Sequence, residues 1–230
     1  MANKNRQFGL DRYSPPEDVS IEDIRRLCVQ AGKGNHLQDE SRSFHPDVTP
    51  PLFEIDDDTS LDAILMPGDG TAIGVIRRRT RSPGDSRLVP DQVHLVVLPS
   101  GEAGGGPLAE GIGVSVMSVD LNVDDGYSYG AAIAAQRNIG RADINKATGR
   151  NEYTEDKTMS RRHFDASVGY DGLITVRDVG SKNGTSFITA SDLLKHDSVG
   201  GHNMNNREML ARWVQKLKGN LSHWLPASNS

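Results

Sequence analysis

Short apolar runs parted by turn residues constrain this chain more than any other feature. Residues 71–76, 93–98 and 112–119 are rich in β-branched side chains, and glycine-containing stretches separate them. In the last run Ile112, Val114 and Val116 alternate with small or polar residues, the period of a strand with one buried face. Further strands are expected at 130–139, 162–168 and 173–179. Such a series predicts a mainly β fold, an antiparallel β-sandwich.

The flanks read differently. Residues 1–60 hold 7 Lys and Arg against 12 Asp and Glu, and Pro15-Pro16, Pro46 and Pro50-Pro51 punctuate them. That composition predicts a polar, acidic, flexible arm over 1–65, with a short helix at 20–31 capped by Ser20 and ended by Gly32. Ile21, Ile24, Leu27 and Cys28 share one face of that helix. At the other end, 206–218 places Met209, Leu210, Trp213, Val214 and Leu217 on one stripe, so 205–230 reads as an amphipathic helix and tail. The sandwich is expected between them, over 66–204.

Several function classes fall away on composition and spacing. Cys28 is the single cysteine, so no internal disulfide is available, and no Cys/His cluster has metal-ligand spacing. No run approaches the ~20 apolar residues of a membrane span, and no leader pattern opens the chain, which suggests a cytoplasmic protein without membrane partners. The glycines of 101–106 lack the Lys-Ser or Lys-Thr of a phosphate loop, so no nucleotide cofactor is expected. Arg77 to Arg81 continues an apolar strand without interleaved aromatics and reads as a solvated strand end, not a nucleic-acid surface. No nucleophile elbow, kinase signature or metal cluster suggests an enzyme.

What remains is a motif in three pieces: Gly140-Arg141, then Ser160-Arg161-Arg162-His163, then Asp178-Val179-Gly180-Ser181-Lys182-Asn183-Gly184-Thr185. They supply a guanidinium for a dianion, a short hydroxyl donor and an amide for a peptide backbone, which is what a phosphorylated side chain in a peptide requires. Taken alone, 180–184 is a hairpin turn, because Asn-Gly between apolar runs is a strong short-range turn signal. Arg161 and Arg162 alone are surface charges, and His163 beside Phe164 reads as a buried, hydrogen-bonded histidine.

The three pieces in this order resemble the forkhead-associated (FHA) domain, a β-sandwich that recognises phosphothreonine. The resemblance covers about residues 130–200. It implies that Arg141 and Ser160 contact the phosphate, that Asn183 holds the ligand backbone, and that Arg161 and Lys182 touch the ligand from variable positions. It assigns Gly140, His163, Asp178, Gly184 and Thr185 to the scaffold. The implied function is a signalling adaptor for proteins phosphorylated by an upstream Ser/Thr kinase, with no cofactor and no metal. The alternative is an FHA-like interaction scaffold that no longer binds phosphate. A few charge-assisted bonds of ~1.5–3 kcal/mol each, less the losses of association, predict micromolar affinity, about −8 kcal/mol.

After Thr185 the pattern departs from the family. Phe187 is present, but Thr189-Ala190 stands where an Asn-Gly turn is expected, 194–199 only echoes an acidic turn, and no convincing final strand follows. The strands near 71–98 are the expected replacements, closing the sandwich from the N-terminal side as in a permuted or elaborated domain. The segment from Arg141 to Ser160 is longer than in the family and polar; the resemblance implies that Arg150, Asn151 and Lys157 read residues C-terminal to the phosphothreonine, and an ordinary surface insertion is the equal alternative. Thr49 and Thr59 in the acidic arm read first as incidental threonines, the alternative being that a phosphorylated arm occupies the site itself.

Overall fold

The computed structural model describes residues 41–44, 50–68, 71–79, 92–98, 113–121, 133–149, 157–170 and 172–192. The elements lying wholly within these residues are, in chain order, β1 (Ser41–Phe44), β2 (Phe53–Glu54), β3 (Thr59–Pro67), β4 (Ile73–Arg78), β5 (Gln92–Val97), β6 (Val114–Asp120), β7 (Ala135–Ile139), α1 (Arg141–Thr148), β8 (Phe164–Val168), β9 (Ile174–Asp178) and β10 (Thr185–Thr189). All the strand pairs are antiparallel, in two sheets. One runs β1-β9-β8-β7; the other runs β10-β3-β4-β5-β6, with β2 also pairing β3.

A single apolar core lies between the sheets. Ala63, Leu65, Ile73, Val75, Val93, Leu95, Val97 and Phe187 of the six-stranded sheet meet Phe44, Ile139, Phe164, Ala166, Val168, Ile174 and Val176 of the four-stranded sheet. Within each strand these residues alternate, as a pleated strand requires. The mainly β, sandwich-type architecture expected from the periodicity is therefore present. Edge to edge, Phe44 of β1 and Phe187 of β10 sit 5.4 Å apart, and the Arg42 guanidinium lies 5.0 Å over the Phe187 ring.

Strand β10, which follows the motif, pairs with β3 from Thr185↔Pro67 to Thr189↔Ala63. The six-stranded sheet is thus completed by strands that precede the motif in sequence, and β4 and β5 lie in it as the 71–98 region predicts. Its register carries two irregularities, one between Leu61 and Ala63 and one between Leu95 and Val96.

Four expectations give way. The acidic arm does not extend to residue 65, because β1, β2 and β3 lie within 41–67 and pair in both sheets. Thr59 is buried in β3, and its carbonyl accepts from the amides of Ile55 and Asp56, so its hydroxyl is no open phosphorylation site. Arg77 is not solvated: it is fully buried and ion-paired to Asp62, while Arg79 is exposed. Residues 180–184 are no hairpin, since β9 and β10 belong to different sheets and this turn carries the chain across the sandwich. The 20–31 helix, Cys28, Thr49, the 101–106 glycines, Arg150, Asn151, the 194–199 echo and the 205–230 segment lie outside the described residues. Among those described, no helix is long and apolar enough to cross a membrane.

Candidate functional site

The three motif pieces meet at one end of the sandwich, where β7 and β9 finish and β8 and β10 begin. Backbone bonds bring the first two together. Arg141 N–H donates to the Ser160 carbonyl at 3.0 Å, and His163 N–H donates to the Ile139 carbonyl at 3.1 Å. Gly140 between them is extended, a conformation any residue adopts, so its reason is space. A Cβ there would stand 1.7 Å from the Arg161 carbonyl oxygen and 2.5 Å from its carbon. Only glycine lets the two segments pass this closely.

His163 fastens the third piece. Its Nδ1 accepts the Ser160 N–H at 2.9 Å, so Nε2 carries the proton and donates to the Gly184 carbonyl at 2.8 Å. Its own carbonyl accepts from Val179 N–H at 3.2 Å. One buried ring therefore joins both motif loops. The sequence reading of His163 as a hydrogen-bonded structural histidine describes this geometry.

Asp178 shapes the loop that follows. Its Oδ1 accepts from the amides of Gly180 at 3.0 Å and Ser181 at 2.8 Å; its Oδ2 accepts from Ser181 Oγ at 2.7 Å and Thr185 Oγ1 at 3.0 Å. The carboxylate is buried, and four donors replace its water shell. Gly180 and Gly184 have φ of 78° and 69°, the left-handed region where a side chain is strained. Asp178, Gly184 and Thr185 thus act on the shape of the loop.

The outward groups are held on this frame. Ser160 Oγ accepts the Lys182 N–H at 3.1 Å, and its own O–H has no acceptor among the described residues. Asn183 Nδ2 donates one hydrogen to the Thr158 carbonyl at 2.7 Å, so its second N–H and its Oδ1 are the groups it can offer a ligand. The side chains of Arg161 and Lys182 are exposed, Lys157 is exposed nearby in sequence, and Arg141 is half-buried at the first position of α1.

Two acidic groups close in sequence to the motif are engaged. Asp143 accepts from Gly140 N–H at 3.0 Å and pairs with Arg137 at 3.0 Å, closing the helix start. Partial burial works to raise the Asp165 carboxyl, but hydrogen bonds from Asn138 and Arg177 and the charges of Arg177 and Arg162 outweigh it and hold the group below its ordinary range.

Sequence reasoning missed three contributors. Arg141 was expected on a loop, yet 141–148 is a helix, with Ile144 reaching the core and Gly149 (φ 65°) ending it. Ser181 was read as a turn residue, yet it gives Asp178 two of its four bonds. Gly68, after β3, donates to the Gly184 carbonyl at 3.3 Å, and a Cβ on it would lie 2.5 Å from Thr158 Oγ1. The Gly68-Asp69-Gly70 run is a turn signal, but nothing in it foretells which loop it abuts.

No family model matches the chain, and no match is found among the curated proteins or the solved structures.

Proposed function

We propose that the chain is a phosphothreonine-peptide-binding module of forkhead-associated type that docks proteins marked by a Ser/Thr kinase. The observation that carries this reading is the joining of Arg141, Ser160 and Asn183 by one hydrogen-bonded frame through Gly140, His163 and Gly184. In it Arg141 contributes a forked cation to the phosphate, Ser160 a free hydroxyl proton, and Asn183 an acceptor for a ligand amide. Arg161 and Lys182 stand at the rim for flanking residues of the peptide. The strand order supports a permuted form of the family, with β3 and β4, which precede the motif in sequence, continuing the sheet that β10 enters.

The test is calorimetry against a degenerate phosphothreonine peptide pool, beside phosphoserine and unphosphorylated pools. Phosphothreonine-selective micromolar binding is expected. Arg141→Ala should remove it, and Ser160→Ala should weaken it about tenfold, one charge-assisted bond or ~1.4 kcal/mol. No binding by the unaltered chain would overturn the reading and leave an interaction scaffold that does not bind phosphate.

A further inference from the structure

The two sheets differ on the faces they turn away from each other. On the four-stranded sheet that face is polar: Asn138, Asp165 and Arg177 form one hydrogen-bonded row, and Ser43 bonds Thr175 at 2.7 Å. It needs no cover. On the six-stranded sheet the apolar residues that alternate with the core are Ile64, Met66, Ile76, Val96 and Ile188, with Leu98 directly after β5, and buried His94 stands among them opposite Ile76. None belongs to the inner core cluster, and all are 3% exposed or less. Gly74 shares that face, and a Cβ on it would meet Leu61 and Leu98 at 3.0 Å, so the leucines fold down over it. Strands buried on both faces imply a further layer over the sheet. No described helix or strand forms that layer.

We propose that residues 206–218, outside the described part of the chain, fold as a helix across this face and close a second apolar core. The chain leaves the sheet at β10, where Asp192 is fixed by the Thr189 N–H and hydroxyl at 2.8 Å and by Arg42 at 3.0 Å. Residues 193–205 extend to about 43 Å at most, more than the roughly 19 Å across five strands. A 13-residue helix is about 20 Å long, the width of the sheet. Met209, Leu210, Trp213, Val214 and Leu217 give it one bulky apolar stripe. The 20–31 stripe is a poorer occupant: it is smaller, and the chain after it enters β1 in the opposite sheet.

The test uses the full chain with Trp224→Phe, so that Trp213 is the sole indole. Blue-shifted emission and protection from acrylamide are expected, with protection falling in Ile64→Ala and Leu98→Ala. Emission of a solvated indole would overturn the proposal. So would protection unmoved by the sheet variants, as under an N-terminal cover, or protection lost on dilution, as under a second copy. Should the sheet variants fail to fold, Val214→Asp provides the reciprocal reading. Retained β-sheet dichroism with new binding of a hydrophobic dye supports the proposal, and unchanged dye binding sinks it.

Discussion

At the scale of single residues, the motif is a packing device before it is a binding one. Gly140→Ala places a methyl inside the van der Waals radius of the Arg161 carbonyl, so the two segments must separate. The expected cost is about 1–3 kcal/mol, as for overpacking, with weakened phosphopeptide binding; a denaturant midpoint with unchanged slope checks the first and calorimetry the second. A different residue contributes to the acid sensitivity. Burial of His94, aided by the Arg78 guanidinium and opposed by Asp120, lowers its pKa from 6.5 to about 4; its Nδ1 meets Ser118 Oγ at 3.0 Å and its Nε2 has no partner among the described residues. The unfolded chain therefore takes up a proton that the fold refuses, so stability is full above pH 6.5 and declines as pH falls toward 4. The loss is about 3 kcal/mol. Thermal melts across that range should show the decline, and His94→Asn should flatten it. Gly140 and Asp178 were legible as scaffold only through the resemblance of the three motif pieces to a family, and His163 also through its place beside Phe164. His94 was not, because nothing beside it in sequence tells that its strand is covered on both faces.

Among the elements, β3 and β4 carry the least expected feature. The irregularity between Leu61 and Ala63 lets Asp62 meet Arg77 within the sandwich, where Ser60 also donates to it at 2.9 Å. Burial works to raise the Asp62 carboxyl, and Arg77 opposes it. Arg77 Nη1 has no partner among the described residues, so the pair is an expensive one. Removing one member, in Arg77→Met or Asp62→Leu, should cost about 3–5 kcal/mol, while the double substitution costs less than either alone. A double-mutant cycle in urea measures this. The run Arg77 to Arg81 read as solvated because its acidic partner stands 15 positions upstream in a stretch taken for a flexible arm. Helix α1 escaped notice for another reason: eight residues with one large apolar side chain carry too little periodicity to separate helix from loop.

For the whole molecule, closure from the N-terminal side is the deciding fact. Strand β1 completes one sheet and β3 joins β10 to the rest of the other, so residues 41–67 are part of the fold. A chain beginning at residue 113 retains every motif residue yet loses both partners. It is expected to be unfolded by circular dichroism and rapidly cleaved by trypsin, whereas a chain beginning at residue 41 keeps β1 and β3. The sequence by itself determined the alternation of most strands, hence the sandwich, and the order of the three motif pieces, because period-2 burial and a motif's spacing are written in a few residues. Only the tertiary structure decided that Asn183 and Gly184 sit in a crossover and not a hairpin, that an acidic segment supplies β3, and that Asp62 reaches Arg77. Those outcomes depend on which strand edges meet, and edge pairing is set by burial summed over the whole core rather than by any local run of residues.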